Sequence, residues 1–207
     1  MSEILRDKGG FLSPTIRRLE YGGRPAVMKD FRTRNVITRR VLAPALVRRE
    51  FEILRHLEGV PGVPRAYAIV DGAALVTEFI DGRHIGKFKP GELPDDVYRR
   101  LAATVAALHA RGVAHLDLRQ KKNILVAGPQ PYVIDFANAV RVRPASPLRA
   151  VFARLRRVDE SGLLKFKARN WPHLLTGADR EFLRRHRGLR SFWIFSPHTD
   201  RAKDIVW

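Results

Sequence analysis

Two aspartates flank two short apolar runs. Asp117 stands in "HLDLRQKKNILV" (residues 115–126), ahead of the apolar "ILV", and Asp135 closes "YVID" 18 residues later. A carboxylate just outside a strand faces a cleft rather than a core, where it can hold a metal or accept a proton. Asn123, between the two acids, adds an oxygen donor without added charge. Such hard-oxygen ligands suit Mg²⁺, which is usually held by one or two carboxylates together with substrate phosphates. Asn123 and Asp135 as metal ligands, with Asp117 receiving a hydroxyl proton, describe a phosphoryl-transfer site. Either acid alone reads more simply as a turn or cap carboxylate, so the assignment depends on the rest of the chain.

Two further charged residues support it. Lys29 in "AVMKDF" lies in a strand pattern and shares a face with Val27 and Phe31. An ammonium on an apolar face needs an anionic partner. Glu50 is the candidate partner. With Leu46 at zero and about 100° per residue, Glu50 falls at roughly 40°, close to Leu57 near 20° and Ile53 near −20°, inside the apolar stripe. Glu52 falls on the arginine side.

The elements that would carry these residues divide the chain in two. "TIRRLEY" and "PAVMKDF" flank Gly22-Gly23, and "RAYAIV" and "ALVTEFI" flank Asp71-Gly72, two hairpin signals. Between them, "PALVRREFEILRHLEG" predicts a helix starting near Pro44 and stopping at Gly59, with Leu46, Ile53, Leu54 and Leu57 buried. After Gly82, "PDDVYRRLAATVAALHARG" predicts a helix burying Val97, Leu101, Val105 and Leu108. "SPLRAVFARLRRV" predicts another, burying Leu148, Val151, Phe152 and Leu155. "TGADREFLRRHRG" predicts a last one, with Thr176 and Asp179 near a capping box and a stop at Gly188. Asp159 either caps a helix or braces the loop around Asp117. The expected architecture is α+β and two-lobed: an antiparallel sheet with one helix over residues 1–80, and a mainly helical lobe over 81–207.

The ordered set of Lys29, Glu50, "HLDLRQKKN" and "IDFA" resembles the protein-kinase-like superfamily over roughly Gly9 to Ala137. The resemblance implies ATP and Mg²⁺ as cofactors. It casts Lys29 as the residue orienting the phosphates, Glu50 as its partner, Asp117 as the catalytic base, and Asn123 and Asp135 as metal ligands. It also implies a nucleotide-covering loop at Gly9 and Gly10, and a hinge at Glu78 and Phe79, in "VTEFIDGRHI", holding adenine. The sequence departs from the pattern at several points. Asn123 is six residues after Asp117 rather than five, Leu116 stands where arginine follows the histidine, and DFG is "DFA". Gly9-Gly10 is not a full G-x-G-x-x-G, and nothing after Ala137 resembles an activation segment closed by A-P-E. A truncated second lobe of this kind is similar to the lipopolysaccharide-core and Kdo kinases of bacteria and to the RIO kinases.

Charge narrows the partners. Lys+Arg 39 against Asp+Glu 21 gives a formal net charge of +18, which implies an acidic partner. From Asn138 onward 16 basic residues face 6 acidic ones, and Phe31 to Arg49 holds six arginines and no acid. The basic, apolar last third, with Phe192, Trp193 and Phe195, suits an anionic interface. The expected acceptor is therefore a hydroxyl on a membrane-associated lipid or glycolipid, with peripheral contact at the inner membrane surface. A RIO-like protein Ser/Thr kinase and a catalytically weak scaffold are the alternatives. RNA is less favoured, because no strand platform interleaves aromatic and basic residues. The chain has no cysteine, which excludes disulfides and thiolate chemistry. The charged "MSEILRDKGG" start does not read as a secretory signal, so the cytoplasm is the expected compartment. No histidine pair has metal spacing, and His115 reads as a prop for the loop.

Overall fold

The computed structural model describes residues 3–7, 9–10, 13–143 and 149–185. Leu148, Gly188, Phe192, Trp193 and Phe195, singled out above, lie outside the described residues. The first lobe is a five-stranded antiparallel sheet in the order β1-β2-β3-β5-β4, formed by β1 (Glu3–Arg6), β2 (Thr15–Tyr21), β3 (Arg24–Asp30), β4 (Ala66–Val70) and β5 (Ala74–Glu78). The β2–β3 hairpin pairs Tyr21 with Arg24 across Gly22-Gly23, whose φ values of 56° and 74° suit a two-residue turn matching the strand twist. The second hairpin pairs Val70 with Ala74, so Ala73 joins Asp71-Gly72 in a three-residue loop.

The lobe's helix, α1 (Ala43–His56), is continuous with a π-helical turn over Thr38–Leu42, in which the Ala43 amide donates to Thr38 O. The expected start near Pro44 is thus too late. Pro44 has no amide to offer the residue four back, and the wider turn before it accommodates the lost bond. Ala43, Val47, Glu50, Ile53 and Leu54 face the sheet, while Leu46 is only half-buried.

In the second lobe α2 (Asp95–Ala110) buries Val97, Leu101, Val105 and Leu108 as its spacing predicts. Two small sheets carry the loops: β6 (Arg83–His84) pairs with β8 (Ile124–Ala127), which pairs with β9 (Gln130–Val133), while β7 (Val113–Ala114) pairs with β10 (Val140–Arg141). The helix α3 (Arg149–Asn170) runs 22 residues without a break, well past the predicted segment. Its inward face follows Phe152, Leu155, Asp159, Gly162 and Phe166 at helical spacing, and Val151, one step off that line, is 46% exposed instead of buried. Trp171, fully buried after α3, donates its indole N–H to Leu93 O and packs on Tyr98. α4 (Gly177–Arg185) begins with the reciprocal bonds Thr176 N–H to Asp179 and Asp179 N–H to Thr176 Oγ1, a capping box with aspartate. One apolar core runs from α1 and β5 through α2 to Phe166 and Trp171. Among the described residues no helix is long and apolar enough to cross a membrane.

Candidate active site

Strand alternation turns Lys29 of β3 toward α1, where Glu50 occupies the buried stripe. Lys29 Nζ donates to Glu50 Oε1 at 2.5 Å and to Asp135 Oδ1 at 2.8 Å. Glu50 Oε1 also accepts the Phe136 amide at 3.0 Å, so one carboxylate joins the strand, the helix and the segment after β9. Burial alone would pull the Lys29 ammonium down, but the two carboxylates reverse this and raise it above its ordinary value. The Lys29 charge in turn holds the Asp135 carboxyl at about 2, against the burial that would raise it. Both groups are therefore charged at neutral pH.

Asp135 adopts a left-handed backbone (φ 68°, ψ 70°), a conformation aspartate tolerates. Leu116 is also left-handed, at φ 66°, which costs a branched residue about 1–2 kcal/mol. What holds Leu116 there is Asp159 of α3. Its carboxylate accepts the His115 amide at 2.8 Å, the Leu116 amide at 2.8 Å and His109 Nε2 at 3.0 Å, and it is fully buried. Asp159 thus braces the loop from mid-helix, and the helix-cap alternative falls. Gly162, one turn on, lets α3 press against the same loop: a Cβ there would stand 3.1 Å from Leu118 Cβ and 3.2 Å from Arg119 N. Lys165 Nζ donates to Arg119 O at 3.0 Å. Neither Gly162 nor Lys165 belongs to a motif that would single it out in the sequence.

His115 is a buried prop. Its Nδ1 accepts the Asp117 amide at 3.3 Å, which leaves Nε2 to donate to Ile134 O at 3.1 Å. Burial lowers its pKa, so the ring is neutral at pH 7. Its edge meets Phe136 with centroids 4.8 Å apart.

The extra residue between Asp117 and Asn123 is absorbed by two successive turns, Gln120 N–H to Asp117 O and Asn123 N–H to Gln120 O. Asn123 Nδ2 therefore still reaches Asp117, at 3.0 Å from its carbonyl and 2.8 Å from Oδ2. Because the amide nitrogen faces these acceptors, the Asn123 oxygen is the atom left for a cation. Among the described residues no three His, Cys, Asp or Glu side chains cluster to form a metal cage. One carboxylate and one amide oxygen, completed by phosphate oxygens, fit Mg²⁺ better than a metal that needs a full protein shell.

Gly9 and Gly10 lie between β1 and β2, where Asp7 accepts the Gly9 amide at 3.0 Å and is held by Arg34. Since Ile16 of β2 pairs with Lys29, this connection borders the lysine's strand. At the other edge, the Glu78 amide donates to Arg65 O and the Phe79 amide to Pro25 O, while the Arg18 guanidinium covers the Phe79 ring at 4.3 Å. A base held at this segment would meet its carbonyls rather than these two amides. The structure thus brings Lys29, Glu50, Asp117, Asn123 and Asp135 to one cleft, with Gly9-Gly10 and Glu78-Phe79 at its borders.

The chain is 28% identical over 142 residues to calcium-dependent protein kinase 29 of Arabidopsis thaliana, covering 62% of this chain and 26% of that protein. It is 34% identical over 126 residues to calcium-dependent protein kinase 9 of Oryza sativa subsp. japonica, covering 51% and 20%. It therefore spans about a quarter or less of the length of these curated relatives. Among solved structures, the Rio2 kinase–ADP/Mg²⁺–phosphoaspartate complex of Chaetomium thermophilum superposes with a TM-score of 0.61 at 20% identity, covering 84% of this chain and 56% of that one. Another Rio2 kinase structure from the same organism gives 0.60 at 21%, covering 82% and 57%. These likenesses establish the kinase-like fold. The RIO domain family model matches residues 23–154, more than half of the 207, and the chain belongs to the RIO domain family.

Proposed function

We propose that this chain is a RIO-like, ATP-dependent and Mg²⁺-requiring kinase that transfers the γ-phosphate to a protein serine or threonine hydroxyl. The observation that carries the reading is the assembly, in one cleft, of the Lys29–Glu50–Asp135 cluster beside the Asp117–Asn123 pair. Lys29, held by Glu50, neutralises nucleotide phosphate charge, and Asp135 with the Asn123 oxygen holds the metal. When bound, Mg²⁺ offsets charge on the phosphates. Asp117, braced through His115 and Leu116, orients the acceptor hydroxyl and takes its proton. Phosphoryl transfer depends mainly on such positioning and charge neutralisation. The solved Rio2 complex with ADP and Mg²⁺ supports the cofactor assignment. A cytoplasmic location is part of the same proposal.

The membrane-glycolipid acceptor expected from the basic last third is less well supported. The family match is to the RIO domain, and the inward face of α3, part of that basic stretch, is committed to bracing the catalytic loop. Incubation with γ-labelled ATP and Mg²⁺, followed by separation of protein and lipid, tests the reading. Phosphoserine or phosphothreonine is the expected product. Label confined to lipid would restore the glycolipid acceptor, and nucleotide binding without any transfer would favour a scaffold.

A further inference from the structure

The mouth of the cleft carries cations from both lobes that form no ion pair among the described residues. On the second lobe, β6 and the turn after it present His84 and Lys87, both exposed. Facing them is the loop after Asp117. The Lys121 side chain lies against Gly86, 2.8 Å from where a Cβ would stand, and the exposed Lys122 is near enough to Asp135 to favour its ionised form. Arg169 at the end of α3 reaches the same turn, donating Nη2 to Gly86 O at 3.3 Å. From the first lobe, Arg6 closes β1 immediately before the Gly9-Gly10 connection. His84 feels both Lys87 and Arg6, which add to burial in disfavouring its charged form.

Among the described residues Arg6, Lys87, Lys121, Lys122 and Arg169 form no ion pair, and Arg6 Nε and Arg169 Nη1 are buried with no hydrogen-bond acceptor. Buried donors without a partner are uncommon. Of the nearby acids, Glu92 is already bonded to Arg83 and to the Lys89 amide, and Asp135 is paired with Lys29. The site beyond Asp117 thus presents net positive charge to whatever brings the acceptor hydroxyl. Nucleic acid fits it poorly: single-strand binding relies on aromatic stacking. The exposed large aromatics among the described residues are Tyr21, at the β2–β3 turn, and Phe182, on α4, both away from the mouth.

We propose that the acceptor is an acidic polypeptide segment, whose carboxylates on either side of the accepting serine or threonine dock on Arg6, Lys87 and Lys122 across the cleft mouth. The inference rests on the protein-kinase reading for the ligand's role as acceptor, but the docking is measurable without turnover. Binding of fluorescent serine-containing peptides to the full chain is followed by anisotropy, with glutamate-flanked, neutral and lysine-flanked peptides and a single-stranded RNA of matched charge. The expected order is acidic over neutral over basic, with affinity falling as salt rises. Charge reversal in Lys87→Glu/Lys122→Glu should weaken the acidic peptide about tenfold or more, a loss of selectivity rather than of folding. Lys87→Glu alone should keep wild-type ADP affinity, which reports an intact cleft. Equal affinity for acidic and neutral peptides, or tight RNA binding with none for peptide, overturns the inference. Selective acidic-peptide binding with no transfer would leave the docking surface standing and fail the phosphotransfer reading instead.

Discussion

Replacing Asp159 by alanine tests the most consequential strut in the second lobe. The side chain accepts two main-chain amides and one imidazole in a fully buried place. Its removal leaves the His115 and Leu116 amides without acceptors, at about 1–3 kcal/mol for each buried unsatisfied group. Two such groups set a loss of about 2–6 kcal/mol, and a mid-range loss of about 4 kcal/mol lowers the melting midpoint by roughly 8–16 °C in a chain of this size. A second effect follows from conformation. Leu116 is left-handed because its amide is tied to Asp159, and once freed it relaxes toward negative φ, turning Asp117 away from Asn123. Circular-dichroism melts and ATP turnover, measured well below the new midpoint, separate the two effects: the melt should shift, and kcat should fall with KM for ATP little changed. Asp159→Asn, which keeps one carbonyl acceptor, should be intermediate. A variant melting within about 2 °C of wild type with unaltered turnover would show that the amides find other acceptors and that α3 does not brace the loop.

Other expectations are simpler to check. Glu50→Gln removes the charge that offsets Lys29 burial and weakens the acceptor for the Phe136 amide, so nucleotide affinity measured by calorimetry should drop and the melt should fall. His115, whose pKa is lowered by burial, stabilises the fold while neutral. Stability should therefore decline as pH falls below the unfolded histidine value near 6.5, and the decline should be shallower in His115→Asn, as read by urea unfolding at several pH values. Asp135, held at about 2, contributes fully above its unfolded value near 4, and urea unfolding at acid pH should show that contribution shrinking progressively from there and gone once pH has fallen through about 2. Gly162→Leu would force α3 away from Leu118 and Arg119, with a cost of about 1–3 kcal/mol and reduced turnover.

The first lobe was legible because its signals are local. The Gly22-Gly23 turn, the alternation that turns Lys29 inward and the placement of Glu50 among Ile53 and Leu57 each depend on a few neighbouring residues. The π-turn before Pro44 was not legible, since the proline marks a helix start equally well and only packing shows that the chain coils earlier. The long α3 was hidden for another reason. Its buried face replaces apolar residues with Asp159, which satisfies loop amides, and Gly162, which permits close approach, so the periodic signal fades where the helix is most constrained. The register of Val151 was misjudged with it. The convergence of Asp117 with Asn123 across one extra residue needed the three-dimensional turns as well.

The central claim is that Asp117 and Asp135 act in one phosphoryl-transfer site, and the most direct test compares γ-phosphate transfer by wild type, Asp117→Ala and Asp135→Asn with Mg²⁺ present and melts taken alongside. The account predicts transfer by wild type and a loss of orders of magnitude in both variants, with folding retained. Asp135→Asn should also lose Mg²⁺-dependent nucleotide affinity, while Asp117→Ala should keep it. Full transfer by either variant would contradict the account.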